Sequence, residues 1–395
     1  MKTIIVVGGG AAGFFSAIHN KKKYLDSNVI IIEKSATVLA KVKVSGGGRC
    51  NVTQACFDPK ALIAGYPRGG KELLGPFYTF QPKQTMQWFE DHGVTLKIES
   101  DKRVFPVSNS SQSVIDCLMS TAIKLGIKIW TKCEVSQIVK EGNHFNLQLA
   151  AGQSKQCEKV VLATGSSRNG HALASQLGHT IVRPIPSLFT FKINDPALHA
   201  LSGISVLDVE TYLENRPKNR QQGTLLMTQW GMSGPCIIKL SAWNAEMLYD
   251  SNYQETLVVN WLPGQEVNHV FQQQLHQKKV MTYSPFPQIS KRLWSYLVTK
   301  ATISPKQGWY NMSDKQKEAL SQTLQKSIFH IIGKSPFKEE FVTCGGVDLK
   351  EVNFKTMESK VCPGLYLIGE LLNIDGVTGG YNFQNAWTTG FISGK

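Results

Sequence analysis

The stretch Thr3-Ile4-Ile5-Val6-Val7-Gly8-Gly9-Gly10-Ala11-Ala12-Gly13 decides the fold. The β-branched run Ile4 to Val7 ahead of a glycine cluster reads as a buried strand, and the glycines open a helix over Ala11 to about Leu25. A second strand, Val29 to Ile32, completes a βαβ unit. Inside it the spacing is G-x-G-x-x-G: Gly8 permits the tight turn, Gly10 lets backbone approach a pyrophosphate, and Gly13 lets helix and strand pack closely. Ala11 and Ala12 place free N–H groups at the positive end of the helix. Glu33, at the end of the second strand, is positioned to accept hydrogen bonds from the adenosine ribose hydroxyls.

Outward from this unit, Pro82 to His92 and Ser113 to Leu125 read as helices, each stopped by a glycine. Ile127 to Trp130, Val135 to Val139, Phe145 to Leu149 and Lys159 to Ala163 read as strands. After Arg183-Pro184-Ile185-Pro186 short alternating segments suggest an inserted antiparallel β unit, and from Gln265 to Ser327 the spacing turns helical. Leu365 to Ile368 is an apolar run whose backbone must pair, and the N-terminal parallel sheet is its natural acceptor. The expected organisation is α/β: a discontinuous Rossmann-like FAD-binding domain over 1–186 and 341–395, an inserted antiparallel β-barrel over 187–264 with its return strand at 328–340, and a small helical domain over 265–327.

The opening fingerprint serves NAD and FAD alike. FAD is favoured by Ala163-Thr164-Gly165 closing a strand, Gly369-Glu370 after the last strand, and Gly379-Gly380-Tyr381-Asn382 before a final helix. A cofactor that long needs contacts beyond one βαβ unit. Glu370 suits a ribityl or pyrophosphate-adjacent hydroxyl, and the N–H groups opening the final helix suit the flavin N1/C2 edge, where charge develops on reduction.

The chain carries a net charge of +14, with 42% hydrophobic and 18% charged residues, an ordinary globular balance. The start of the sequence reads as a strand rather than a signal peptide, and no stretch has the length of a membrane span, so a cytoplasmic address is expected. Eight scattered cysteines form no paired framework. The cations are spread along the chain; the densest run, Lys21-Lys22-Lys23, suits a helix C-terminus. Nucleic acid is therefore a disfavoured but open partner. His269 and His276 lack a third ligand, and no metal site is expected.

The sequence resembles the bacterial YhiN-like flavoproteins, which include BaiN and aminoacetone oxidase-like members. The resemblance runs through Gly8 to Gly13, Glu33-Lys34, KVKVSGGGRCNVT from Lys41 to Thr53, GMSGP from Gly231, GGV from Gly345, and Thr356 to Gly390. It implies that Lys41 and the segment Ser45, Gly46, Gly47, Gly48, Arg49, Cys50 and Asn51 lie along the flavin. It also implies that Val135, on a strand of the inserted β element, meets the adenine through its backbone. Members are described as amine oxidases or as NAD(P)H-dependent reductases of unsaturated carbonyl compounds, so NAD(P)H is a candidate electron donor. Cys344 stands where a small apolar residue is expected.

Cys50 and Cys56 have five residues between them where the redox pair of flavin disulfide reductases has four, and core or loop thiols are the better reading. Gly231-Met232-Ser233-Gly234-Pro235 reads as the start of a helix at Pro235 rather than a nucleophile elbow. His171 and Tyr381 are candidates for proton handling. The leading expectation is an FAD-dependent oxidoreductase passing two electrons between a small organic substrate and flavin. An RNA-modifying flavoprotein and a flavin-bound redox sensor are the rivals.

Overall fold

The computed structural model describes residues 2–150, 152–275, 279–335 and 342–395. The chain forms two compact units, Met1–Ile185 with Val342–Lys395, and Pro186–Phe341.

The first unit is built on a seven-stranded sheet. Strand β1 (Thr3–Val7) lies at its centre, flanked by β2 (Asn28–Ile32) and by the strand Lys159–Leu162, all parallel. These strands are buried on both faces, which explains their continuous apolar runs without alternation. The strand Leu365–Leu367 pairs in parallel with Lys159–Leu162, so the late apolar run docks where the pairing argument placed it. Helix α1 (Ala11–Lys23) follows β1 and carries Lys21, Lys22 and Lys23 in its last turn. Lys21 Nζ donates to the carbonyls of Leu25 and Ser27, so the densest basic run is occupied in closing the helix end.

The final helix, Tyr381–Ser393, lies against α1. A Cβ on Gly390 would come within 2.9 Å of the Ala12 carbonyl oxygen, so the glycine is what permits the close approach. Ser393 Oγ lies 2.7 Å from Ser16 Oγ, and Lys159 Nζ donates to the Ser393 carbonyl at 2.6 Å, fastening the end of this helix to the sheet. A small antiparallel sheet, Val135–Glu141 with His144–Leu149 and Ser154–Cys157, sits in this same unit. Val135 therefore belongs to the first unit and not to the inserted β element; a short antiparallel strand reads alike in sequence whether it joins a small sheet or a barrel.

The second unit is a closed barrel of six strands, from Phe191–Ile193 to Ser327–Lys334, with its own core. Helices Val267–Leu275, Lys291–Lys300 and Asp314–Gln325 are inserted before the last barrel strand. Trp261, Trp294, Trp309 and Phe271 are fully buried in this core. Gly234 caps a helix over Pro235–Trp243, with φ +95, as the GMSGP reading expects. The boundary between the units falls within Arg183-Pro184-Ile185-Pro186, and the stretch lies in the strand Ile181–Ser187, whose partner strand among the described residues is Val342–Val347. A ribbon with a free edge tolerates prolines that lack an N–H. His276 and the segment 336–340 lie outside the described residues.

Candidate functional site

The three motif glycines divide by what a side chain would meet. A Cβ on Gly8, where φ is +112, would lie 2.4 Å from the Ala163 carbonyl oxygen, and one on Gly13 would lie 2.0 Å from the Gly8 oxygen. Both are demanded by the packing of β1, α1 and the neighbouring strand. A Cβ on Gly10 would meet nothing within 4 Å. Gly10 is also the N-cap of α1 and offers no side-chain cap, which leaves the first N–H groups of the helix without that partner. That combination suits a phosphate.

Glu33 borders the same opening. Its Oε2 accepts from the Gly9 N–H at 2.8 Å and its Oε1 from the Ser35 N–H at 2.8 Å. Each oxygen keeps lone pairs for hydroxyl donors, and the backbone holds the carboxylate in place. Lys34 beside it is exposed.

The segment Ser45 to Asn51 breaks a helical stretch that begins at Ala40. Ser45 is extended, Gly46, Gly47 and Gly48 all have positive φ (56, 69 and 83), and Cys50 has φ +61. Successive left-handed residues turn their N–H groups toward one side, an anion-binding arrangement. Cβ atoms on Gly47 or Gly48 would meet nothing within 4 Å. Burial pushes the Cys50 thiol up to about 12, which makes it inert. None of the eight cysteines is in a disulfide. Arg49 is engaged beside these glycines: its Nη1 pairs with Glu99 Oε1 at 2.7 Å and its guanidinium lies 4.0 Å over the Phe105 ring. With its amide turned to satisfy both ends, Asn51 donates to the Thr53 carbonyl at 2.9 Å and accepts from the Gly380 N–H at 3.0 Å.

Asn51 thus ties the glycine loop to the start of the final helix. There Gly379 and Gly380 have φ +120 and +96, and a Cβ on Gly380 would lie 2.4 Å from the backbone of Thr53. Asn382 accepts from the Gly376 N–H at 2.8 Å and donates to the Gly376 carbonyl at 2.9 Å, holding the loop shut on itself. Tyr66 donates its hydroxyl to the Tyr381 carbonyl at 2.7 Å. The Tyr381 ring packs edge-on against Tyr66, and burial pushes its phenol upward.

Glu370 joins three remote segments: Lys41 Nζ lies 2.7 Å from its Oε2, and the Thr343 N–H donates to its Oε1 at 3.2 Å. Gly165, with φ +59, would direct a Cβ to 3.7 Å from Glu370 Oε2. Gly369 donates its N–H to Thr389 Oγ1 at 3.0 Å. Ala163 donates to the Val7 carbonyl at 2.8 Å, bringing Thr164 beside the Gly8 turn. His171 is buried, and its Nε2 has no partner. Burial lowers its pKa, opposed by Glu370 and the Leu371 backbone. The Val135 carbonyl accepts from Asn169 Nδ2 at 3.0 Å, so that oxygen is already engaged. The structure therefore gathers Gly10, Glu33 and the Ser45–Asn51 loop with the Gly369–Glu370 and Gly379–Asn382 segments in one unit. Thr343, Asn169 and Glu99 escaped the sequence reading, because a bond between residues so distant along the chain leaves no local pattern. Among the described residues no group of three or more His, Cys, Asp or Glu side chains could hold a metal.

Residues 2–395 match the HI0933-like protein Rossmann domain. The chain belongs to this HI0933-like family. Its resemblance to YhiN-like flavoproteins thereby holds over the whole length. A relative from Escherichia coli (strain K12), "Ribosomal RNA dihydrouridine synthase", is 29% identical over 91% of this chain and 90% of its own. A second, "3-dehydro-bile acid delta(4,6)-reductase" of Clostridium scindens, is 28% identical over 94% of this chain and 92% of its own. Among solved structures, a 3-ketosteroid-delta4-(5alpha)-dehydrogenase from Rhodococcus jostii RHA1 superimposes with a TM-score of 0.51 at 13% identity, over 99% of this chain and 96% of that one. The fold is that of FAD-dependent oxidoreductases. No helix among the described residues is long and apolar enough to cross a membrane.

Proposed function

We propose that this HI0933-like protein is an FAD-dependent oxidoreductase that saturates a carbon–carbon double bond conjugated to a carbonyl. The observation that carries the cofactor assignment is the division of the glycines: a Cβ on Gly10, Gly47 or Gly48 would meet no atom of the chain, while Gly8 and Gly13 are consumed by packing. The residues fit FAD along its length. Glu33 would take the adenosine ribose, Gly10 to Gly13 the pyrophosphate, Glu370 with Lys41 the ribityl side, and the Gly379–Asn382 turn the pyrimidine edge of the ring.

Bound FAD supplies the two-electron chemistry at its isoalloxazine ring. The chain supplies position and protons. The N–H groups opening the Tyr381–Ser393 helix would stabilise negative charge at the ring edge. Tyr381 holds its proton, because burial raises its pKa, and its hydroxyl makes no hydrogen bond to another described residue. It is the better placed of the two proton-handling candidates, since His171 lies beside Glu370 and Leu371. The direction of reaction follows the two named relatives. They differ in the molecule acted on, a ribosomal RNA or a bile acid, but both names describe reduction of a conjugated double bond. The flavin must itself receive two electrons; NAD(P)H would supply them as hydride by direct encounter with the ring, since the sequence carries no second fingerprint to seat it.

The test is to denature the purified protein, identify the released nucleotide, and then mix anaerobically reduced protein with a uridine-containing RNA or a 3-oxo-4-ene steroid. Release of FAD and reoxidation of flavin by either compound support the reading. Reoxidation by oxygen alone would instead favour an oxidase, and recovery of only NAD would remove the flavin from the argument.

A further inference from the structure

The sequence spreads its cations along the chain, but the fold sorts them. From Val267 to Ser313, the helical part of the second unit, there is no Asp or Glu, while Lys278, Lys279, Lys291, Arg292, Lys300 and Lys306 all stand there. Two of these have partners within the unit: Arg292 donates to the Ala200 carbonyl, and Lys300 lies 4.6 Å over the Phe329 ring. Lys279, Lys291 and Lys306 are exposed and have no carboxylate partner among the described residues.

Exposed aromatic rings accompany them. Tyr283 and Tyr310 are 66% and 60% exposed. Both are held rather than loose. Lys291 Nζ lies 4.7 Å over the Tyr283 ring, and the Tyr310 ring covers Gly308, where a Cβ would come within 2.4 Å of it. The two rings are carried by segments that pair: Val280 bridges Gly308, Met281 N–H donates to the Gln307 carbonyl at 2.9 Å, and Trp309 N–H donates to the Lys279 carbonyl at 3.1 Å. Beneath them Trp294 and Trp309 are fully buried, so the platform rests on a packed core.

We infer that this face, centred on Lys279, Lys291, Lys306, Tyr283 and Tyr310, binds single-stranded RNA. Unpaired ammonium groups attract phosphates and release counterions, and rigid exposed rings offer stacking surfaces to unstacked bases. The acids that approach come from other segments and are engaged there: Asp195 accepts from the Tyr296 hydroxyl at 2.6 Å, and Asp314 pairs with Lys317 at 2.9 Å. The inference rests on the proposed reduction in taking a base carried by RNA as the group reduced.

The experiment uses FAD-loaded full-length protein and fluorescence anisotropy. The probe is a fluorescein-labelled, uridine-rich single-stranded RNA of about 16 nucleotides, the upper end of common site sizes. Matching DNA and vesicles of mixed neutral and anionic phospholipid serve as competitors. The combined variant Lys279→Glu, Lys291→Glu, Lys306→Glu should bind RNA at least tenfold more weakly, and its log–log salt dependence should lose a slope of about 2, near 0.7 per phosphate contact. Tyr283→Ala with Tyr310→Ala should weaken binding roughly tenfold per ring without changing that slope. The same charge change placed on the first unit, Lys71→Glu, Lys83→Glu, Lys355→Glu, should leave affinity within about threefold, the difference from tenfold separating location from net charge. Equal losses in both charge variants, unaltered binding in the tyrosine variant, or equally tight binding of DNA or vesicles would each overturn the assignment. Protein without FAD would count against the oxidoreductase reading instead, since the RNA titration is scored independently of flavin.

Discussion

Two turns in the same sheet look alike and behave differently. One joins β1 to α1 through Gly8 and Gly13; the other joins the adjacent strand Lys159–Leu162 to the helix Arg168–Gln176 through Gly165 and Gly170. Each begins and ends with glycine. In the first, the N-cap is Gly10, which caps nothing and faces open space. In the second, the N-cap is Ser167, whose hydroxyl accepts from the Gly170 N–H at 3.0 Å. Gly170 has a packing reason of its own, since a Cβ there would lie 1.8 Å from Thr164 Oγ1. Glycine spacing alone therefore does not mark a dinucleotide site. An uncapped helix end with room before it does.

The largest effect should come from the first turn. Gly10→Val leaves a folded protein, because its Cβ meets no atom of the chain, but FAD content after purification should fall to background. Gly13→Val should give little soluble protein at all, since its Cβ collides with the Gly8 carbonyl. Circular dichroism with flavin absorbance separates the two, and full FAD occupancy in the Gly10 variant would end the comparison.

The second turn makes a kinetic forecast. With its helix end self-capped, it should not seat a nicotinamide dinucleotide, and NADH or NADPH should reduce the flavin slowly without saturating at low concentration. Anaerobic stopped-flow mixing checks this, and rapid reduction saturating at micromolar donor would reverse it. A smaller effect is expected at Glu33, whose removal takes away hydrogen bonds to a charged group: Glu33→Ala should weaken FAD affinity by about 1.5–3 kcal/mol in an apoprotein titration. The smallest belongs to Ser167→Ala. Loss of that cap should lower unfolding free energy by about 1 kcal/mol while FAD content stays unchanged. A drop in FAD affinity larger than that of Glu33→Ala would show the second turn to be a cofactor site as well.

What was legible in the sequence follows from the range of the interactions. β1, α1 and β2 could be read because every requirement, from the apolar run to the glycines and Glu33, lies within a few turns of chain. The pairing of Leu365–Leu367 was legible from backbone accounting, since a lone apolar strand must find a partner. The strand Ile181–Ser187 was hidden by Pro184 and Pro186, whose cost vanishes on a ribbon with a free edge. Val135 was assigned to the wrong unit because a short antiparallel strand reads alike in a small sheet and in a barrel. Lys41 with Glu370 and Asn51 with Gly380 are contacts across more than three hundred residues, and no local periodicity announces them. The exposed rings of Tyr283 and Tyr310 were equally silent, because exposure is a property of packing.

The placement of the final helix against α1 has a consequence for biosynthesis. β1 and α1 leave the ribosome more than 300 residues ahead of the strand Leu365–Leu367 and the Gly379–Asn382 turn that complete their surroundings. At about 5–20 residues per second the opening unit waits on the order of tens of seconds for its partners. During that interval the barrel and its helices, which are contiguous in the chain and have a separate core, can already be complete. A message truncated before Tyr381 therefore yields a chain with a finished barrel and an open cofactor cradle, so flavin retention reports that translation passed the final glycine turn.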